Sequence, residues 1–299
     1  MSIGRDKILV IVGPTSSGKT SLSIELARKF NGEVISADSR QVYKGMDLGT
    51  GKVTKKEMQG IRHYLLDVVS PNTQFSAARF VKMGDKAIKQ ILKKGKLPII
   101  CGGTGFWVDA LLYGLPETVA PDWKLRRRLE KLTTIQLLNK LRRVWAERAK
   151  SIDPNNKRRL IRALEMALKG QKPVPPIREI KYDTLKIGVL RDRQELRQRI
   201  HERLLARVKQ GLILEVANLH KNGVSWRRLH DFGLEYRFVS RYLSGAIKDK
   251  EEMLKLLETA INQYAKRQGT WFKRDKEIQW VKNGQKACQI VKKWLFDKR

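Results

Sequence analysis

The sequence predicts an α/β fold, a parallel sheet flanked by helices and interrupted by a helical insertion domain. Three observations carry this expectation. Gly13-Pro14-Thr15-Ser16-Ser17-Gly18-Lys19-Thr20 lies between the apolar run Ile8 to Val12 and a helical pattern. Two further short apolar runs, Leu97 to Cys101 and Leu185 to Leu190, each precede a turn and another helical pattern, the alternation that builds parallel sheets. Between Pro121 and Asp183 the composition changes to 18 Lys/Arg against 7 Asp/Glu, a net of +11, with helical periodicity and no strand-like run. The expected core is P-loop NTPase-like and spans 1–120 and 184–299, with the insertion at 121–183.

Bulk composition narrows the function. The chain has 299 residues, 63 basic and 30 acidic, for a formal charge of +33. That imbalance calls for a polyanionic partner, and nucleic acid is the first candidate because neutralising phosphates releases counterions. General solubilisation of the surface is the alternative. Cys101 and Cys288 stand far apart with no ligand-like neighbours, so neither a disulfide framework nor a zinc site is expected, and a cytoplasmic, reducing compartment fits. No run approaches the roughly 20 apolar residues of a membrane span, and no signal peptide is recognisable. No membrane partner is expected.

In chain order, the spacing G-x-x-x-x-G-K-[ST] at 13–20 wraps backbone N–H groups round phosphate oxygens at the positive end of a helix. Lys19 adds an ammonium and Thr20 a metal-binding hydroxyl. Leu22, Ile24, Leu26, Ala27 and Phe30 continue as a helix that Asn31-Gly32 stops. A strand from Glu33 to Ser36 then opens into Ala37-Asp38-Ser39-Arg40-Gln41, and loops at the carboxyl ends of parallel strands are where ligands bind. Asp38 is a magnesium ligand, a general base or a turn aspartate. His63 to Val69 reads as a strand, and Ser76 as the cap of a helix closed by Gly95. The strand Leu97 to Cys101 runs into Gly102-Gly103-Thr104-Gly105, where Thr104 serves either the same crevice or the start of a helix from Phe106 to Tyr113.

Within the insertion, a helix from Lys157 to Lys169 has Leu160 and Leu164 on its apolar face. Its Arg158, Arg159 and Arg162 either track a nucleic-acid backbone or are merely solvated. Pro173, Pro175 and Pro176 form a stiff connector. A helix from Arg193 to Gln210 places Arg199 and Arg203 on one face, as phosphate-reaching or ordinary surface arginines. Helices follow from Ile213 to His220, from Phe232 toward Gly245, and from Lys248 into the block Tyr264 to Arg274, where basic residues interleave with Trp271 and Phe272. That mixture suits stacking on splayed RNA bases, or a core aromatic pair among surface charges.

Three phosphate chemistries fit this order: an ATP-binding small-molecule kinase, an RNA-dependent NTPase, and a transferase that holds a diphosphate leaving group while a nucleic-acid base attacks the donor carbon. The switch-type NTPase lacks an N-K-x-D sequence, and a small-molecule kinase leaves +33 unexplained.

Gly13 to Thr20, Ser36 to Thr50, Gly102-Gly103-Thr104, and Lys266-Arg267-Gln268 with Thr270-Trp271-Phe272 together resemble the bacterial tRNA dimethylallyltransferases, in order and over nearly the whole chain. The resemblance implies transfer of a dimethylallyl group from dimethylallyl diphosphate to N6 of the adenine 3′-adjacent to the anticodon, in tRNAs reading codons that start with U. It implies Asp38 as general base and Thr104 as a holder of the flipped adenine. Gly13, Pro14, Thr15, Ser16, Ser17, Gly18, Lys19, Thr20 with Mg²⁺, and Arg203 would carry the diphosphate. Contacts to the tRNA anticodon stem-loop would fall on Asp38, Ser39, Arg40, Gln41, Thr104, Arg126, Arg158, Arg159, Arg162, Tyr236, Arg237, Lys266, Arg267, Gln268, Thr270, Trp271 and Lys273. A monomer is expected. Glu235-Tyr236-Arg237 departs from the Gly-Tyr-Arg common in bacterial members, and Gly269 from a usual aliphatic residue. The acidic side chain is expected to alter RNA contact or pair with Arg237. The competing assignments are an adenylate isopentenyltransferase acting on free AMP, ADP or ATP, which the basic insertion and long C-terminal part disfavour, and a P-loop small-molecule kinase.

Overall fold

An unbroken run such as Ile8 to Val12 is stable only as a strand covered on both faces, and these five residues are at most 2% exposed. The computed structural model describes residues 5–115, 120–171 and 181–297. The chain divides into two compact units, 1–112 with 180–299, and 113–179. The first unit opens with β1 (Lys7–Val12), α1 (Lys19–Lys29), β2 (Gly32–Ser36), α2 (Lys55–Met58), β3 (His63–Tyr64), α3 (Ala77–Leu92), β4 (Leu97–Gly102) and α4 (Gly105–Tyr113). The second unit holds α5 (Trp123–Glu130), α6 (Thr134–Val144), α7 (Ala146–Ser151) and α8 (Lys157–Leu168). The first unit then resumes with β5 (Asp183–Val189), α9 (Arg193–Lys209), α10 (Leu212–Lys221), α11 (Trp226–Phe232), α12 (Leu234–Leu243), α13 (Lys250–Phe272), β6 (Gln279–Val281) and α14 (Gly284–Phe296).

The six strands are all parallel, in the order β3-β2-β4-β1-β5-β6. Val10 of β1 stands opposite Ile100 of β4 and Lys186 of β5. Leu22 and Leu26 of α1 and Ala287 and Val291 of α14 pack on one face of the sheet, against Leu9, Ile11, Ile99 and Ile187. Lys186 reaches Asp275 at 2.7 Å and Glu277 at 2.6 Å, which ties the segment before β6 to β5.

The expected strand His63 to Val69 is cut to two residues. Leu65 and Asp67 take φ of 63° and 55°, left-handed values that end extended structure; Val68 then donates to the Val42 carbonyl at 2.8 Å. Four elements, α2, α11, β6 and α14, lie outside the expected set. The proline connector expected at 173–176 lies outside the described residues.

The helical unit has its own core of Leu129, Leu137, Leu141, Leu160 and Leu164. Its helices start where side chains accept orphan N–H groups: Asp122 caps α5, Thr133 with Gln136 forms a capping box on α6, and Asn156 caps α8. No helix among the described residues is long and apolar enough to cross a membrane.

Candidate active site

Parallel strands deliver their following loops to one edge, and here the carboxyl ends of β1, β2, β4 and β5 meet. After β1 the loop curls through Ser16 (φ 60°) and Gly18 (φ 92°) into the N-terminus of α1. A loop that enters a helix N-terminus in this way is the arrangement that binds phosphate. Lys19 folds back over the loop, donating to the Pro14 carbonyl at 3.2 Å. Burial holds its ammonium below the ordinary 10.5, and the charges of Arg203 and Arg207 push the same way. The Ser17 hydroxyl is buried and finds no hydrogen-bond partner among the described residues. Gln268 of α13 clips the loop in place, accepting from the Thr15 N–H at 2.9 Å and donating to the Gly103 carbonyl at 2.8 Å.

The Thr20 hydroxyl is exposed and makes no hydrogen bond among the described residues. No group of three or more His, Cys, Asp or Glu suited to a metal occurs among them. A single hydroxyl can serve Mg²⁺ as one ligand, because that ion keeps waters and substrate phosphate oxygens for most of its shell. The chemistry of Thr20 fits the metal to that extent.

Arg203 and Arg207, one turn apart on α9, face the same place. Burial, then the Arg207 charge, brings the Arg203 guanidinium down to about 10. Arg203 donates to the Gly51 carbonyl at 3.2 Å. Arg207 pairs with Glu235 at 3.1 Å, their side chains only 11% and 10% exposed. Burial pushes the Glu235 carboxyl above its ordinary value while Arg207 opposes it. The acidic departure at Glu235 thus engages Arg207 and not Arg237, which donates instead to the His230 carbonyl at 3.3 Å. Arg199 does not join Arg203 either, because it turns to Glu195 at 2.9 Å. Arg207 was not among the expected residues. Its signal was the spacing of arginines at 199, 203 and 207, of which only the packing of α9 shows two facing inward.

Asp38 follows β2. Its Oδ1 accepts the Arg40 N–H at 2.8 Å, which makes it a turn aspartate and fixes its orientation. Oδ2 makes no hydrogen bond among the described residues. Thr104 accepts the Ser39 N–H at 3.3 Å, so the loops after β2 and β4 touch through this hydroxyl. The Trp271 indole lies against Gly105, where a Cβ would overlap it.

Several residues expected to face RNA are engaged within the fold. Tyr236 is buried and donates its hydroxyl to Glu215 at 2.8 Å. Gln41 accepts from the Ser36 hydroxyl at 2.9 Å and points its amide at the Thr50 and Gly51 carbonyls. Gln268 is held as described above. Tyr236 and Gln268 are buried, and Gln41 is half-buried. Arg40 donates to the Phe232 carbonyl at 2.7 Å and lies over that ring. In the helical unit, Arg126 and Arg162 both turn in to the fully buried Glu165, Arg126 with a fork of 2.9 and 2.7 Å. A carboxylate without water requires such partners. Arg158 and Arg159 are exposed, as are Lys266, Arg267, Thr270 and Lys273 at the end of α13.

A parallel sheet flanked by helices, with a glycine-bearing loop entering a helix N-terminus after its first strand, defines a P-loop NTPase-like fold. The family model described as IPP transferase matches residues 41–275. The chain belongs to the IPP transferase family. It is 40% identical over 288 residues to the tRNA dimethylallyltransferase of Acetivibrio thermocellus, covering 92% of this chain and 91% of that relative. Identity to the tRNA dimethylallyltransferase of Bacillus cytotoxicus is 42% over 301 residues, covering 96% and 94%. Among solved structures, it superposes on a tRNA delta(2)-isopentenylpyrophosphate transferase of Staphylococcus epidermidis with a TM-score of 0.72 at 39% identity, covering 97% of this chain and 99% of that one. A eukaryotic dimethylallyltransferase acting on tRNA gives a TM-score of 0.83 at 26% identity, covering 98% and 80%.

Proposed function

We propose that this protein transfers a dimethylallyl group from dimethylallyl diphosphate to N6 of the adenine 3′-adjacent to the anticodon, in tRNAs reading codons that start with U. The observation that carries this reading is the convergence of Lys19, Arg203 and Arg207 near Asp38. Glu235 offsets Arg207, which leaves the buried charges of Lys19 and Arg203 repelling each other, and a leaving diphosphate is an anion that relieves them. The adenine N6 attacks the donor's first carbon while the carbon–oxygen bond breaks and its electron pair leaves on the diphosphate. Asp38 takes the N6 proton on its free Oδ2, with Oδ1 held by the Arg40 N–H. The loop amides, Lys19 and the two arginines stabilise the charge that grows on the leaving oxygen. Thr20 would hold Mg²⁺, which would supply Lewis-acid stabilisation to the diphosphate.

Thr104 borders the place of the target base, and the exposed cations of α13 and α8 hold the anticodon stem-loop. We take the protein to work as a monomer in the cytoplasm. The test offers labelled dimethylallyl diphosphate together with an anticodon stem-loop RNA or free AMP. Label is expected in the RNA; label in AMP alone assigns the protein to the adenylate-modifying class. Asp38→Ala is expected to abolish transfer while stem-loop affinity stays within about threefold, and unchanged turnover removes Asp38 from the base role.

A further inference from the structure

We propose that Glu215 is the positioning residue of the diphosphate site, holding Arg203 and Arg207 in place through the 47–51 segment; the proposal rests on the diphosphate reading above. Glu215 lies in the first turn of α10, whose Leu212 and Val216 are fully buried, so its backbone is a fixed point. One carboxylate oxygen accepts the N–H groups of Asp47 at 2.9 Å and Leu48 at 2.6 Å, and the other accepts the Gly49 N–H at 3.0 Å and the Tyr236 hydroxyl at 2.8 Å. Three successive amides converging on one anion form a nest, and the bonds are charge-assisted. The segment contains no helix or strand; besides turn bonds such as that from the Gly51 N–H to the Leu48 carbonyl at 3.1 Å, it is the carboxylate that takes up the amides of Asp47, Leu48 and Gly49.

The order is transmitted two residues on. Gly51 takes φ 57°, and a Cβ there would overlap the guanidiniums of both Arg203 and Arg207. Both cations therefore rest against this stretch of backbone, and Arg203 is bonded to its carbonyl at 3.2 Å. Like charges this close splay apart when nothing confines them. The wall at Gly51, together with Glu235 on Arg207, confines both forks before the anion arrives, which lowers the cost of ordering them on binding. At Gly49 a Cβ would overlap the Tyr236 ring, which fixes how deeply the segment seats on Glu215.

The experiment measures binding of inorganic diphosphate to the full chain by calorimetry, together with transfer kinetics, for wild type, Arg203→Gln, Glu215→Gln and the double variant. Glutamine keeps the side chain's size but turns an N–H₂ toward backbone donors. Arg203→Gln is expected to weaken diphosphate binding about tenfold. Glu215→Gln is expected to do the same at about tenfold, raising KM for dimethylallyl diphosphate more than it lowers kcat, with stem-loop affinity within about twofold. The double variant is expected to fall clearly short of the roughly hundredfold product, since the Glu215 effect runs in part through Arg203 and in part through Arg207. If Arg203→Gln leaves diphosphate binding unchanged, the diphosphate reading falls and this inference with it. If Arg203→Gln weakens binding and Glu215→Gln does not, or the two effects multiply, the inference alone is overturned. Equal loss of diphosphate and stem-loop affinity also overturns it, because that marks a general structural role. Should Glu215→Gln fail to fold, Tyr236→Phe removes a single donor to the same carboxylate: about threefold weaker diphosphate binding supports the proposal, and unchanged binding overturns it.

Discussion

At the residue scale the site depends on a charge balance that motifs do not encode. Lys19 and Thr20 are legible because their spacing from the glycines is dictated by phosphate geometry, and Asp38 because it follows a parallel strand. Arg207 and Glu235 are not legible in this way, since which helix face turns inward depends on how α9 and α12 pack. Their ion pair is nearly closed to water. Removing one member of such a pair leaves an uncompensated buried charge, so Arg207→Met is expected to cost about 3 kcal/mol of stability at neutral pH, measured by urea unfolding. Burial already holds the folded Glu235 carboxyl above the unfolded value, so the folded state binds its proton more readily. The Arg207→Met deficit should therefore shrink as pH falls toward acid. A deficit independent of pH would mean that Glu235 is not its source.

At the element scale, the far edge of the sheet is pinned by another buried acid. Glu33 of β2 accepts from Lys94 at 2.9 Å, Lys96 at 2.9 Å and the Tyr64 hydroxyl at 2.7 Å, drawing together the amino end of β2, the short β3 and the approach to β4. Burial pushes this carboxyl up, but the three hydrogen bonds outweigh it and hold the group at about 2, against an ordinary 4.5. For an acid whose folded value is depressed, the stabilisation is complete above the unfolded value and lost on the way down to the folded one. Stability is expected to fall between about pH 4.5 and pH 2 in wild type, and urea midpoints for Glu33→Gln should be lower at neutral pH yet flatter across that window. Equal slopes would exclude Glu33 as the cause. The strands β1, β2, β4 and β5 are readable as apolar runs between helices. By contrast, β6 has three residues and no period of its own, and it is placed by the Lys186 bridges to Asp275 and Glu277. The lost end of β3 reflects left-handed backbone at Leu65 and Asp67; aspartate tolerates that conformation, but leucine gives no sign of it.

At the scale of the whole molecule the excess of basic residues dominates. The helical unit was visible in composition because a helix bundle needs only a narrow apolar stripe and leaves the rest of its surface free for charge. How individual arginines divide between inside and outside was not visible: Arg126 and Arg162 are turned inward by Glu165, while Arg158 and Arg159 are not. With several phosphates neutralised, affinity for a stem-loop RNA should fall about a hundredfold or more between roughly 50 and 200 mM salt. A flat titration would show that the charge serves solubility alone. The order of the sheet also sets a schedule for synthesis. β1 finds its first neighbour only once β4 has been made, and its second, β5, after the whole helical unit has been added. At a typical ribosomal pace the interval between those two pairings is about ten seconds. For that time the strand leading into the phosphate loop has one edge unpaired, and an unpaired apolar edge invites pairing with other chains. The first strand translated is thus exposed longest to misassembly, a vulnerability that belongs to the nascent chain and vanishes once residue 189 has docked.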